Sequence, residues 1–134
     1  TSQVEILLRA LTADRDTMGE VAVRLQRGER IPGFGQPLYP QGDPRAAALL
    51  ARFAAPDTLA DLARTVQDRT GVQPNIDFAL TAMSARLGLP ADAPFALYAV
   101  ARCAGWIAHA IEQGQSDALI RPRARYVGPE PEAD

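Results

Sequence analysis

Asp77 stands in the segment Pro74-Asn-Ile-Asp-Phe78, where a turn gives way to a helical run. A carboxylate in the first turn of a helix meets unpaired backbone N–H groups and the positive end of the helix dipole, which favour its ionised form. Ionised, it either serves as a general base toward a substrate that brings a proton within reach or only stabilises its own helix. Arg45 is a second candidate. In Asp43-Pro-Arg-Ala, Asp43 can cap a helix, Pro44 suits its first position and Arg45 projects from the first turn. A guanidinium beside backbone donors suits a carboxylate or phosphate, although the same Asp-Pro pair can simply start a helix. Arg102 lies inside Ala101-Arg-Cys-Ala-Gly-Trp-Ile-Ala-His109, an otherwise apolar stretch, so it is expected to bond a buried acid or point into a polar cavity. His109, two turns further on the same face, is expected to be a packing histidine, and Cys103 a buried thiol. Arg121-Pro-Arg123-Ala-Arg125 reads either as a solvated strip or as a segment that folds back to complete an anion site.

These residues must be positioned by helices. Val4, Leu7, Leu8 and Leu11 share one face of a helix over 2–13. Asp14, or Asp16 with Thr17, caps a second helix that carries Val21, Ala22 and Leu25 and ends at Gly28. Further helices are predicted over about 44–54, 58–70, 75–87 and 92–113. Leu59, Leu62, Ala63 and Val66 face inward on one of them, and Ile76, Leu80, Met83 and Leu87 on the next. The last is apolar nearly all round, which predicts burial on most sides. Between the second and third helices lies Ile31-Pro-Gly-Phe-Gly-Gln-Pro-Leu-Tyr-Pro-Gln-Gly-Asp-Pro-Arg45, with three glycines and four prolines. Such a loop has its path specified residue by residue. No period-2 alternation is long enough for a core strand, so the fold class is all-α.

The bulk properties narrow the function classes. With 134 residues, 47% apolar and 22% charged, the chain can bury a core without staples. All fourteen basic residues are arginine, which removes lysine as a Schiff base or general base, and a net charge of −2 advertises neither a nucleic-acid nor a membrane surface. One cysteine and one histidine exclude a disulfide framework and a multi-histidine metal site within these residues, in keeping with a reducing, cytoplasmic setting. No apolar run approaches the roughly 20 residues of a spanning helix. The first residue is Thr, and a longer native chain is expected.

Taken together, the motifs resemble the citrate synthase family, including 2-methylcitrate synthases, from about Val4 to Pro129. Gly28-Glu-Arg-Ile-Pro-Gly-Phe-Gly35, followed by Pro-Leu-Tyr and Asp-Pro-Arg, is similar to the family's active-site loop. Pro-Asn-Ile-Asp-Phe resembles its catalytic-aspartate motif, and the segments that begin at Arg102 and Arg121 resemble its C-terminal arginine motifs. Four ordered motifs at compatible spacing make a specific signature.

The resemblance implies a citrate synthase-like small domain over about 1–100, a return into a large domain over about 101–128, and a disordered tail at 129–134. It implies Claisen-type condensation of an acyl-CoA, acetyl or propionyl, with oxaloacetate. Coenzyme A then enters as a thioester substrate, with no permanently bound cofactor and no metal. By residue, it assigns Asp77 as the base, Arg45, Arg102 and Arg121 as carboxylate ligands, and Ile31, Pro32, Gly33, Phe34 and Gly35 as the part of the loop that receives coenzyme A. It implies a homodimer, with the missing large-domain portion supplied by the same protein or another chain. Two departures stand out. Gln36 occupies the position of the family's loop histidine; it can donate a hydrogen bond to a ketone oxygen but cannot become a cation. The family's first catalytic histidine precedes the region matched here, so the isolated chain is expected to be inactive. The alternative expectation is a degenerate module that binds CoA or a dicarboxylate, or that dimerises.

Overall fold

The computed structural model describes residues 17–116. The predicted helix over 2–13, Arg121 with its neighbouring arginines, and the tail at 129–134 lie outside them. The described residues are helical and contain no strand, only an isolated antiparallel bridge between Phe34 and Pro74. Five helices follow one another: α1 (Thr17–Gln26), α2 (Pro44–Leu50), α3 (Asp57–Thr70), α4 (Ile76–Arg86) and α5 (Ala93–Gly114). None of them is long and apolar enough to cross a membrane.

The helix ends follow local chemistry. Asp43 and Asn75 cap α2 and α4 with their side chains. Gly71 closes α3 in the left-handed region at φ 71°, its N–H donating to the Gln67 carbonyl. α2 is shorter than the predicted 44–54. After Leu50 the chain tightens into three-residue turns, with Arg52 N–H on the Leu49 carbonyl, and Pro56 then disfavours helix at Ala55. Pro56 itself takes the cap position of α3 without a side-chain bond, leaving Asp57 as the first-turn acid.

The chain divides between Arg102 and Cys103 into two compact units. In the first, α1 packs on α3, and α2 on α4. The core joins Val21 of α1, Leu59, Leu62 and Val66 of α3, and Phe78 and Ala82 of α4. Two loop residues, Ile31 and Phe34, complete it. Phe34 and Phe78 meet as tilted rings with centroids 5.2 Å apart, a favoured aromatic geometry. The inward residues predicted for α1 and α3 are placed as expected. On α4, Leu80 is buried but Leu87 is 63% exposed, because the helix ends at Arg86 and Leu87 enters the turn before Gly88.

The expectation of burial for α5 is not met by the described residues. Its first half exposes Phe95 and Val100, the latter by 73%. In the second unit Trp106, Ile107 and Ile111 are each more than half exposed, and Cys103, expected to be buried, is exposed too. An apolar helix needs cover, but its periodicity does not say where the cover comes from.

Phe78 is 1% exposed and links loop, α3 and α4 in one cluster. Phe78→Ala is expected to lower stability by roughly 3–5 kcal/mol, read from the shift of the urea midpoint at unchanged m-value.

Candidate active site

Two of the sequence motifs, far apart in the chain, are fastened to each other. The Gly35 N–H donates to the Gln73 carbonyl at 2.9 Å, and the Asn75 N–H to the Gly33 carbonyl at 2.8 Å. The Asn75 side chain then works in both directions. Its Nδ2 donates to the Gly35 carbonyl at 3.0 Å, while its Oδ1 accepts from the N–H groups of Asp77 at 3.0 Å and Phe78 at 3.3 Å. One buried amide therefore caps the helix that carries Asp77 and holds the loop residue next to Gln36. Gly35 is suited to this path. It sits at φ 72°, and a Cβ there would come within 3.1 Å of Val72 Cγ1.

Asp43 makes the second fastening. Its Oδ1 accepts from the Arg45 backbone N–H at 3.0 Å and from Arg45 Nε at 2.9 Å. Its Oδ2 accepts from Arg45 Nη2 at 2.8 Å and from the Ile76 N–H, the first of α4, at 3.0 Å. The carboxylate is fully enclosed (0% side-chain exposure), whereas the Arg45 side chain is 43% exposed. The Arg45 hydrogen bond, helped by the backbone N–H groups of Ile76 and Arg45, holds the Asp43 carboxyl below its ordinary range against the opposing effect of burial. The same pairing raises Arg45, and the phenols of Tyr39 and Tyr98 act in the same direction. The Arg45 guanidinium also lies over the Tyr39 ring, 5.4 Å from its centroid. Arg45 was expected to project from the first turn of α2; it does so while folded back on its own cap residue.

Beside this junction is a cavity of about 540 Å³, within the range of small-ligand sites. Ile31, Phe34, Gly35 and Gln36 line it from the loop, opposite Leu25, Val66 and Val72. Pro32 and Gly33 do not line it, although they were grouped with the same loop face. Apolar walls with Gln36, Thr70 and Arg30 among them suit a ligand that is part ring or alkyl chain and part polar.

The remaining candidates are placed differently. Arg102 is exposed near the middle of α5 and has no carboxylate within ion-pairing distance among the described residues. The expected buried acid or polar cavity is thus not found there. It shares a helix face with Tyr98, one turn earlier, which lies close enough to Arg45 to act on its charge. His109 is not a packing residue; it is exposed, with Nδ1 3.3 Å from Glu112 Oε2, a surface pair of small energetic worth. Arg121 lies outside the described residues. Sequence reasoning missed Asn75 and the reach of Asp43 to Ile76. Asn before Ile-Asp is a good cap signature, but nothing local announces the bonds to Gly35 or Ile76.

The sequence profile of the citrate synthase C-terminal domain matches residues 2–123. The chain is 37% identical over 126 residues to citrate synthase of Haloferax volcanii, covering 87% of this chain and 33% of that protein. It is 37% identical over 125 residues to 2-methylcitrate synthase 1 of Corynebacterium glutamicum, covering 86% and 32%. Against citrate synthase 2 of Bacillus subtilis the identity is 33% over 120 residues, covering 82% and 32%. The described residues are all helical, in agreement with the all-α C-terminal domain of that family. The chain belongs to the citrate synthase family, within its C-terminal domain, and spans about a third of the length of the relatives it matches.

Asp43 has a carboxyl lowered by folding, so its contribution is fully present above the unfolded value of about 3.9 and is lost as pH falls through the folded value. Urea midpoints measured downward from pH 5 are expected to fall less steeply for Asp43→Asn than for the parent chain, with the parent more stable near neutrality.

Proposed function

We propose that this chain forms the coenzyme A- and oxyacid-facing part of a citrate synthase-like acyltransferase that condenses acetyl- or propionyl-CoA with oxaloacetate. The observation that carries the reading is the junction that fastens the Ile31–Arg45 loop to the start of the Asp77 helix beside a cavity of fitting size. The carboxylate of Asp77 takes a proton from the carbon next to the thioester carbonyl. The resulting enolate carbon attacks the ketone carbon of oxaloacetate, and the new alkoxide takes up a proton from solvent. Water then cleaves the thioester, releasing coenzyme A as a thiol. Gln36 donates N–H to the ketone oxygen, while Arg45, Arg102 and Arg121 hold the carboxylates, for which the planar guanidinium fork is well shaped. The coenzyme A thioester lies against Ile31, Phe34 and Gly35 in the 540 Å³ cavity.

The remaining two-thirds of the enzyme come from a portion of the same protein or from a separate chain. The exposed apolar residues of α5 support this, Phe95 and Val100 in one unit and Trp106, Ile107 and Ile111 in the other. A second reading, a binding module without turnover, is favoured by Gln36, since losing an electrophilic donor of this kind costs about 10²–10³ in rate.

Mixing the chain with the separately produced N-terminal portion of a relative, with acetyl-CoA and oxaloacetate present, is expected to yield citrate by mass spectrometry where neither part alone does. Asp77→Asn is expected to reduce that yield by about 10²–10⁴. Turnover by the chain alone, or indifference to Asp77→Asn, contradicts the proposal. A mixture that binds coenzyme A and citrate by calorimetry yet never turns over, even as Gln36→His, favours the binding module.

A further inference from the structure

Asp43 serves two helices and one guanidinium at once. Its oxygens occupy the Nε–Nη2 edge of Arg45, so an incoming carboxylate meets the Nη1–Nη2 edge of the fork. The fork cannot swivel freely, because Asp43 grips one edge and the Tyr39 ring lies against its face. The oxygen that receives Arg45 Nη2 also receives the Ile76 N–H, and Ile76 directly precedes Asp77. A charge-assisted hydrogen bond weakens as its acceptor is shared with, or drawn toward, another strong donor. Any ligand that pulls on Arg45 therefore alters the bond that steadies the first residue of α4.

We propose that Asp43 is a positioning residue that couples Arg45, the carboxylate ligand, to the helix start that aims Asp77, so that an oxyacid on Arg45 is felt at α4. The assignment rests on the roles given above to Arg45 and Asp77, but the Arg45–Asp43–Ile76 link can be tested without them. Asp43 is suited to the task because it is short, doubly accepting and fully enclosed. Asparagine can still offer one oxygen to a backbone N–H, but its amide N–H₂ faces the Arg45 donors.

The test uses the whole ¹⁵N-labelled chain, with citrate as the probe, followed by NMR at Arg45 Nε–H and the Ile76 amide. Citrate is expected to shift both resonances with one common midpoint. In Asp43→Asn, with helical circular dichroism retained, the Arg45 response weakens and the Ile76 response disappears. Arg45→Gln changes a half-exposed side chain that does not itself bond α4, yet by leaving the shared Asp43 oxygen to Ile76 it is expected to slow exchange of the Ile76 amide several-fold, up to about tenfold. An Ile76 amide that keeps its shift and exchange rate in Arg45→Gln overturns the coupling. Should Asp43→Asn unfold, the Arg45→Gln exchange rate decides alone. Should citrate fail to bind, the oxyacid role of Arg45 is refuted, while the Ile76 exchange rate in Arg45→Gln still decides the coupling.

Discussion

The structure depends on satisfying two buried polar side chains, Asp43 and Asn75, at one junction. Neither can be enclosed without partners, since an unpaired buried amide or carboxylate costs several kcal/mol. Their partners are backbone groups of the loop and of the α4 start, together with one guanidinium. Satisfying them leaves little freedom for the Ile31–Arg45 loop. Phe34 is drawn onto Phe78, Gly35 onto Gln73 and Pro44 into the first turn of α2. A loop with four prolines and three glycines is thereby tied at Gly33, Gly35 and Asp43 to residues 73–76.

The same junction organises the chemistry proposed for this face. The loop that lines the cavity and the helix that bears Asp77 are set by one amide, so on the proposed reading a thioester in the cavity and the Asp77 carboxylate would share a common reference. On the other side, Arg45 keeps its charge while one edge is already spoken for. A permanently paired arginine is pre-aligned for a planar anion, at the expense of some of its attraction. Gln36 is held beside this arrangement as a neutral donor, which suits polarising a carbonyl and not transferring a proton.

Much of the helical framework was legible in the sequence, because capping and periodicity are local. Asp43-Pro44, Gly71 and the Leu59, Leu62 and Val66 stripe each state their roles within a turn or two. The end of α2 was less legible, since tight turns and Pro56 stop it before its composition does. The ties from Asn75 to Gly35 and from Asp43 to Ile76 span 40 and 33 residues, and no local pattern encodes such pairs. For α5 the sequence reported a need for cover, and the exposed Cys103, Trp106 and His109 show that the described residues do not provide it. The motifs around Gln36, Arg45 and Asp77 were recognisable as types; that two buried side chains tie their segments together was not.

Asp43 and Asn75 hold a single junction, not two independent caps. A double-mutant cycle on urea stability with Asp43→Asn, Asn75→Ala and the double variant measures this directly. Residues that share one junction are expected to show a coupling of roughly 0.5–3 kcal/mol, the double variant losing less than the sum of the two single losses. Additivity within about 0.3 kcal/mol would contradict a shared junction and return Asp43 and Asn75 to the role of separate helix caps.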